Sequence, residues 1–343
     1  MKYSFRNDYS ELAHPKILEL MIKSANEQNI GYGLDVHSDR AKSLIEKHIK
    51  RKVDIHFLAG GTSANKILIS HVLKSYEAVI SVESGHINVH EAGAVEANGH
   101  KILYYPGKNG KLLPEEIVDS VLIHCDEHMV IPKLVYISNA TELGTVYTKE
   151  EIIAIKEVCE KYNLYLFIDG ARIAQALVSH ENDLDLNDFA ELSDAFYIGG
   201  TKNGAMIGEA LILVNPLFKK NFRNSIKQNG GMLAKGYLVA MQYECLFTDN
   251  LFYVLAKHAV DAGMLLRDEL QKEGVEFLID SNINMQFIII NNEWLKKLNK
   301  LYDFEVWKRI DNNKSAIRLV TSWATDIKAI HEFMKDFREI KNA

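Results

Sequence analysis

The chain has 343 residues, 47% of them hydrophobic and 25% charged, enough to bury a large core and ordinary for a soluble globular protein. A net charge of −6 at pH 7 repels a phosphate backbone, so no nucleic-acid partner is expected. Cys125, Cys159 and Cys245 stand far apart with no CxxC spacing, and neither a signal-peptide core nor a membrane-length apolar run is visible. A cytoplasmic protein with free thiols and no membrane partner is expected.

Residues 1–14 are polar and aromatic without periodicity and predict an arm laid over the body. Ile17, Leu18, Met21 and Ile22 keep helical spacing from Pro15 to Asn26. Gly31 to Asp35 breaks the pattern as a loop, and a second amphipathic helix is expected from Ser38 to about His48. The basic cluster Lys47 to Lys52 is then a solvated helix end. Val53–Leu58 predicts a strand that runs into Ala59-Gly60-Gly61-Thr62-Ser63-Ala64-Asn65, after which a helical period resumes. Strand, glycine turn and helix can hold an anion on free backbone N–H groups, although an isolated match serves equally well as a plain capped turn.

Strands and helices alternate thereafter: strand Ala78–Glu83, a helix from about His86, strand Lys101–Tyr105, and a helix opened by Pro114. Lys133–Ser138 is a strand, and Thr148 with Glu151 predicts a capping box for a helix carrying Ile152, Ile155, Cys159 and Tyr162 on one stripe. Leu164–Asp169 and Asp194–Gly199 are strands, and Glu209–Val214 is expected as an edge strand able to run antiparallel. This alternation predicts an α/β fold, a mostly parallel sheet sandwiched by helices. A helical stretch from about Met232 to Leu270 precedes the strands Met285–Ile290, Phe304–Trp307 and Ile317–Thr321 and the helices Asn292–Lys300 and Asp326–Phe337. The expected division is an N-terminal arm (1–14), a large domain (15–250) and a smaller α+β C-terminal domain (251–343).

Two strand ends carry the chemistry. Asp169 closes one apolar run and Lys202 lies just past the next, each among small residues. A carboxylate can stabilise a pyridinium and an amine can condense with an aldehyde, which together describe a pyridoxal-phosphate site. Elsewhere His86 and His90 stand four apart, but Glu91-Ala92-Gly93 after them does not complete a metalloprotease motif. His124-Cys125-Asp126-Glu127-His128 reads as a solvated loop, so no metal site is expected. Asp8 and Asp35 read as turn-forming acids, and Arg223 and Lys227 as exposed helix charges, with a phosphate, including a neighbouring subunit's, as the alternative.

Taken in order, Tyr32-Gly33-Leu34-Asp35, Gly61-Thr62-Ser63-Ala64-Asn65, His86 with Glu91-Ala92-Gly93, Asp169-Gly170-Ala171-Arg172, Thr201-Lys202 and Gly230-Gly231-Met232 resemble the threonine aldolase and β-eliminating lyase family of fold-type I pyridoxal-phosphate enzymes. The resemblance spans nearly the whole chain and implies an aspartate-aminotransferase-like fold. It implies Lys202 as the lysine that condenses with the cofactor aldehyde, Asp169 at the ring nitrogen, His86 on the ring face, and Gly61, Thr62 and Ser63 at the phosphate with Thr201 beside them. Arg172 would take the substrate carboxylate in a bidentate fork, with Arg318 as a second clamp (or as the partner of a buried acid) and Asn7 near the substrate. The implied reaction is retro-aldol cleavage of a β-hydroxy-α-amino acid, threonine or allo-threonine, to glycine and an aldehyde. The loop Ser138 to Gly144 lacks the histidine many aldolases place there, which leaves Glu142, His86 or a bound water as base. β-Elimination, racemisation and transamination are the alternatives within the cofactor class, and a non-catalytic phosphate-binding protein lies outside it. The family also implies a homodimer or homotetramer whose sites lie between subunits and borrow residues such as Tyr32.

Overall fold

A computed structural model describes residues 2–342. The chain enters through a two-residue strand, Tyr3–Ser4 (β1), then builds a large sheet from seven strands. These are Asp54–Leu58 (β2), Glu77–Val82 (β3), Ile102–Tyr105 (β4), Ile131–Ser138 (β5), Tyr165–Asp169 (β6), Ala195–Gly199 (β7) and Glu209–Leu213 (β8). Their order across the sheet is β2-β8-β7-β6-β5-β3-β4. Every neighbouring pair is parallel except the two made by β8. β8 is therefore antiparallel as expected, but it is not an edge strand: β2 folds back outside it and pairs along its whole length. Its five residues are all buried, which an edge position would not permit.

Side chains leave the central strands alternately for two apolar layers. Val135, Ile137, Leu166, Ile168, Phe196 and Ile198 pack on one side with the helices Lys149–Lys161 and Tyr237–Leu246. Leu134, Tyr136, Phe167, Ala195 and Tyr197 pack on the other with the helix Gly61–Val72. The capping box at Thr148 and Glu151 forms, and Ile152, Ile155 and Cys159 of its helix are buried, while Tyr162 is the C-cap and only partly covered. Close approach explains one glycine directly. A Cβ on Gly170 would lie 1.8 Å from the Tyr197 carbonyl oxygen, so the turn leaving β6 can press on β7 only without a side chain.

Two other expectations change. The helix at His86 is a single turn, His86–Val89, and an irregular segment with Ala92 and Gly93 at positive φ comes directly after it. The long helical stretch is two helices, Tyr237–Leu246 and Leu251–Lys272, separated where Asp249 and Asn250 take left-handed conformations. The second of these contributes Leu255 and Ala256 to the large core and Leu266 and Leu270 to a second core. That second core underlies a four-stranded antiparallel sheet of Glu276–Phe277 (β9), Met285–Asn291 (β10), Glu305–Arg309 (β12) and Lys314–Val320 (β13), in the order β12-β13-β10-β9. The remaining strand, Tyr302–Asp303 (β11), pairs in parallel with β1, and Phe5 is buried in the second core. The N-terminal segment is thus stitched to the C-terminal part of the chain. No helix among the described residues is long and apolar enough to cross a membrane.

Candidate active site

All the parallel strands of the large sheet end on one side, and the functional candidates gather there, in the crevice beyond the carboxyl ends. β2 delivers Ala59 to Thr62, β5 delivers Ser138 to Glu142, β6 delivers Asp169 and Arg172, and β7 delivers Thr201 and Lys202. Because β8 runs the other way, its first residue, Glu209, arrives at the same place. These residues line a cavity of about 280 Å³ together with His86 and Tyr197. It adjoins a second cavity of about 370 Å³ that shares His86, Glu142, Arg172 and Lys202 and adds Asn7, Arg318, Glu305 and Trp307.

Asp169 is the most completely addressed side chain of the site. Its Oδ1 accepts from the Tyr197 hydroxyl at 2.5 Å and the Ala171 N–H at 3.0 Å. Its Oδ2 accepts from the Tyr136 hydroxyl at 2.5 Å and the Asn65 amide at 3.1 Å. Tyr136 and Tyr197 reach it from the strands on either side of β6, and burial first, then the Asp169 charge, pushes both phenols well above their ordinary range. Asn65 also donates to Glu91 at 2.7 Å, and Glu91 holds His86 Nδ1 at 2.8 Å. Burial alone would lower the His86 imidazole, but the Glu91 hydrogen bond and the nearby Asp169 outweigh it and leave it raised.

Lys202 is lowered: burial and the Arg172 charge disfavour its ammonium form more than Asp8, Asp169 and Glu209 support it. A larger share of neutral amine is what a nucleophilic lysine requires. Glu142 is raised, by burial and then by Asp169. Its Oε1 accepts from the Ser138 hydroxyl at 2.7 Å and the His86 N–H at 3.0 Å, while its buried Oε2 has no partner.

The helix Gly61–Val72 begins at Gly60 without a side-chain cap, which leaves its first N–H groups without side-chain partners where the helix start borders the cavity. Gly61 and Thr62 line that end, whereas Ser63 is not among the lining residues. A Cβ on Gly61 would sit 2.9 Å from the Tyr197 hydroxyl, so glycine is what lets this turn close over the tyrosine that holds Asp169.

Both candidate arginines already have an acid partner within the chain. The bidentate fork of Arg172 is already filled: Nε and Nη2 donate to the two oxygens of Asp8 at 2.8 and 3.1 Å. Asp8 is therefore no turn-forming acid; it is fully buried, and a buried guanidinium needs this countercharge. Asp35 does cap a helix, accepting from the Ser38 N–H at 2.8 Å. Arg318 pairs with Glu305 and lies 5.2 Å from the Trp307 ring centre, and its buried Nε has no partner. Asn7 turns its Oδ1 back to the Tyr9 N–H and the Ser10 hydroxyl, each at 3.0 Å. Tyr32 is not in this cavity. It lies against a different, small one with Arg223, which donates to its carbonyl at 3.0 Å, and Lys227, 5.0 Å above its ring.

Tyr136, Tyr197 and Glu209 are site residues that no motif in the sequence marks. The signal for the tyrosines was their alternation with the core residues of β5 and β7, which places them on one face but cannot say that Asp169 lies between them.

The β-eliminating lyase family model matches residues 5–329 of the chain. A low specificity L-threonine aldolase of Pseudomonas aeruginosa is 29% identical over 98% of this chain and 97% of its own length, and one from a Pseudomonas species is 30% identical over the same shares. The threonine aldolase structure of Leishmania major superposes with a TM-score of 0.97 at 45% identity, covering 98% of this chain and 99% of that one. The histidinol-phosphate aminotransferase of Clostridium acetobutylicum, at 18% identity and a TM-score of 0.73, shares the fold. A matched family model over nearly the full length, a sheet whose carboxyl ends gather Asp169 and Lys202, and a full-length structural likeness lead to one statement: the chain belongs to the β-eliminating lyase family, whose members depend on pyridoxal phosphate.

Proposed function

We propose that this chain cleaves a β-hydroxy-α-amino acid, threonine or allo-threonine, to glycine and an aldehyde. The observation that carries the reading is the single cavity that joins a helix N-terminus, the Asp169 carboxylate and a lowered lysine amine. The cavity fits pyridoxal phosphate. Beside Gly60 the turn is open, with no heavy atom within 4 Å of where a Cβ would stand, and the backbone donors of the helix start there suit a phosphate. When bound, the cofactor supplies an aldehyde for an amine and a ring that accepts the electron pair of the breaking bond.

The cavity residues would divide the work. Gly61 and Thr62 hold the phosphate, with Thr201 beside them; His86 covers one ring face; Lys202 offers its neutral amine. Asp169 accepts the ring N–H in place of one tyrosine hydroxyl, since a phenolic O–H can rotate away. The substrate carboxylate goes to the partnerless Nε of Arg318 and to the Arg172 nitrogen that Asp8 does not use, with the Asn7 amide hydrogens nearby. Glu142 takes the β-hydroxyl proton on Oε2. Its partnerless oxygen and raised acidity range suit a base better than His86, whose imidazole is raised and already bound to Glu91.

Threonine incubated with the reconstituted protein should yield glycine and acetaldehyde in equal amounts; 2-oxobutanoate and ammonia instead would assign β-elimination. Glu142→Gln should lower kcat by about 10²–10⁴-fold while KM and the yellow colour persist. Full turnover in that variant would remove Glu142 as the base.

A homo-oligomer completes the reading. Tyr32 is 46% exposed and takes a positive φ, Arg223 contacts its carbonyl and Lys227 its ring, and exposed Leu34 and Val36 lie just beyond it. An apolar loop held in this way suits insertion into a neighbouring subunit's site. Leu34→Glu should shift the sedimentation coefficient toward that of a single chain, and an unchanged coefficient would exclude this loop from an interface.

A further inference from the structure

Glu209 takes no part in the cleavage or in holding the substrate, yet its carboxyl lies inside the same cavity. At the start of β8 it pairs with Gly199 on one side and with Leu58 on the other, which sets it between the turn to Lys202 and the turn Ala59 to Gly61 in the cavity lining. Its Oε2 accepts from the Gly200 N–H and its Oε1 from the Thr201 hydroxyl, both at 3.3 Å. That hydroxyl in turn accepts from the Gly208 N–H at 3.0 Å. The carboxyl is buried, and no cation pairs with it at hydrogen-bond distance among the described residues. A buried carboxyl without a countercharge at that distance favours its neutral form, and it stands beside the glycine turn whose donors suit a phosphate.

We propose that Glu209 is a proton-carrying donor to the cofactor phosphate, a neutral carboxyl that gives its O–H to a phosphate oxygen. The backbone N–H groups at Gly61 and Thr62 and the Glu209 O–H then grip the phosphate from two sides. Ionised Glu209 would repel the same oxygens. Burial pushes this carboxyl up to about 8, with Lys202 opposing and Asp169 adding to the rise. The other titratable groups facing it, the Tyr197 and Tyr243 hydroxyls, are kept neutral by burial. A phosphate that favours the protonated form therefore binds well below that value and progressively less well above it. The inference rests on the cofactor reading of this cavity.

The test compares binding of pyridoxal phosphate and of pyridoxal, which lacks the phosphate, to cofactor-stripped wild type and Glu209→Gln between about pH 7 and pH 9.5. The glutamine keeps a donor that cannot ionise. Wild type should lose affinity for pyridoxal phosphate relative to the variant by at least about tenfold at the upper limit, and the two should stay parallel for pyridoxal. Parallel curves for both ligands, or divergence with pyridoxal as well, overturn the proposal. A measurement on wild type alone covers a variant that fails to fold. Titration calorimetry near pH 8.5 in two buffers of different ionisation heat should show pyridoxal phosphate taking up more than about half a proton beyond pyridoxal, and equal uptake overturns the proposal. A wild type that never turns yellow removes the cofactor reading as well, whereas a yellow protein with parallel curves removes only the role of Glu209.

Discussion

Lys202→Ala is expected to abolish both the yellow colour and threonine cleavage, with turnover lower by at least about 10⁴-fold. The amine is the group of the cavity that can condense with an aldehyde, and burial with the Arg172 charge lowers it from the range of an exposed lysine. Alanine removes the attacking atom and leaves the walls standing, because the Lys202 carbonyl still accepts from Gln175 at 3.1 Å and β7 is untouched. The variant should therefore fold, retain its far-ultraviolet circular dichroism and bind pyridoxal phosphate only reversibly. Absorbance after gel filtration reads the first effect and aldehyde release the second. A filtered variant that stays yellow and turns over threonine would show that some other group holds the cofactor.

The second large effect is on stability. Asp8→Asn should destabilise the protein by about 3–5 kcal/mol, because it leaves the buried Arg172 guanidinium without its countercharge. Burial works to raise the Asp8 acid, but Arg172, Lys202 and the hydrogen bonds from Arg172 and Asn284 overcome it and hold the carboxyl below its ordinary 3.8. A depressed folded value places the stabilising contribution above the unfolded value, and it is lost as the pH falls through the folded one. The stability gap between wild type and variant should accordingly be full at neutral pH and shrink below about pH 4. Urea unfolding at several pH values reads this directly; a gap that is absent at neutral pH, or that widens on acidification, would contradict the ion pair's role. The same substitution is expected to raise KM, since it frees the Arg172 fork to wander from the substrate cavity.

Local chemistry made much of this molecule legible. The βα alternation, the Thr148–Glu151 capping box and the glycine turn at Gly60-Gly61 are short-range features, governed by side chains within a few residues of one another. Asp169 and Lys202 could be paired because strands that end abruptly in small residues mark the crevice of a parallel sheet, whichever strands they are. The helix expected from about His86 forms but lasts one turn, His86–Val89, and the left-handed Ala92 and Gly93 that follow do not continue it.

What the residues alone determined, then, was the layered α/β class, the glycine turn that opens a helix, and an acid and an amine each leaving a strand end, because all of these arise from periodicities and caps of short range. Tertiary structure decided which groups meet there. Asp8 reaches Arg172 across 164 positions, Tyr136 and Tyr197 close on Asp169 only once β5, β6 and β7 are in register, and Glu209 enters the cavity because β8 runs antiparallel to β7. Those placements depend on the pairing energy and burial of the whole sheet, and no window of sequence contains it.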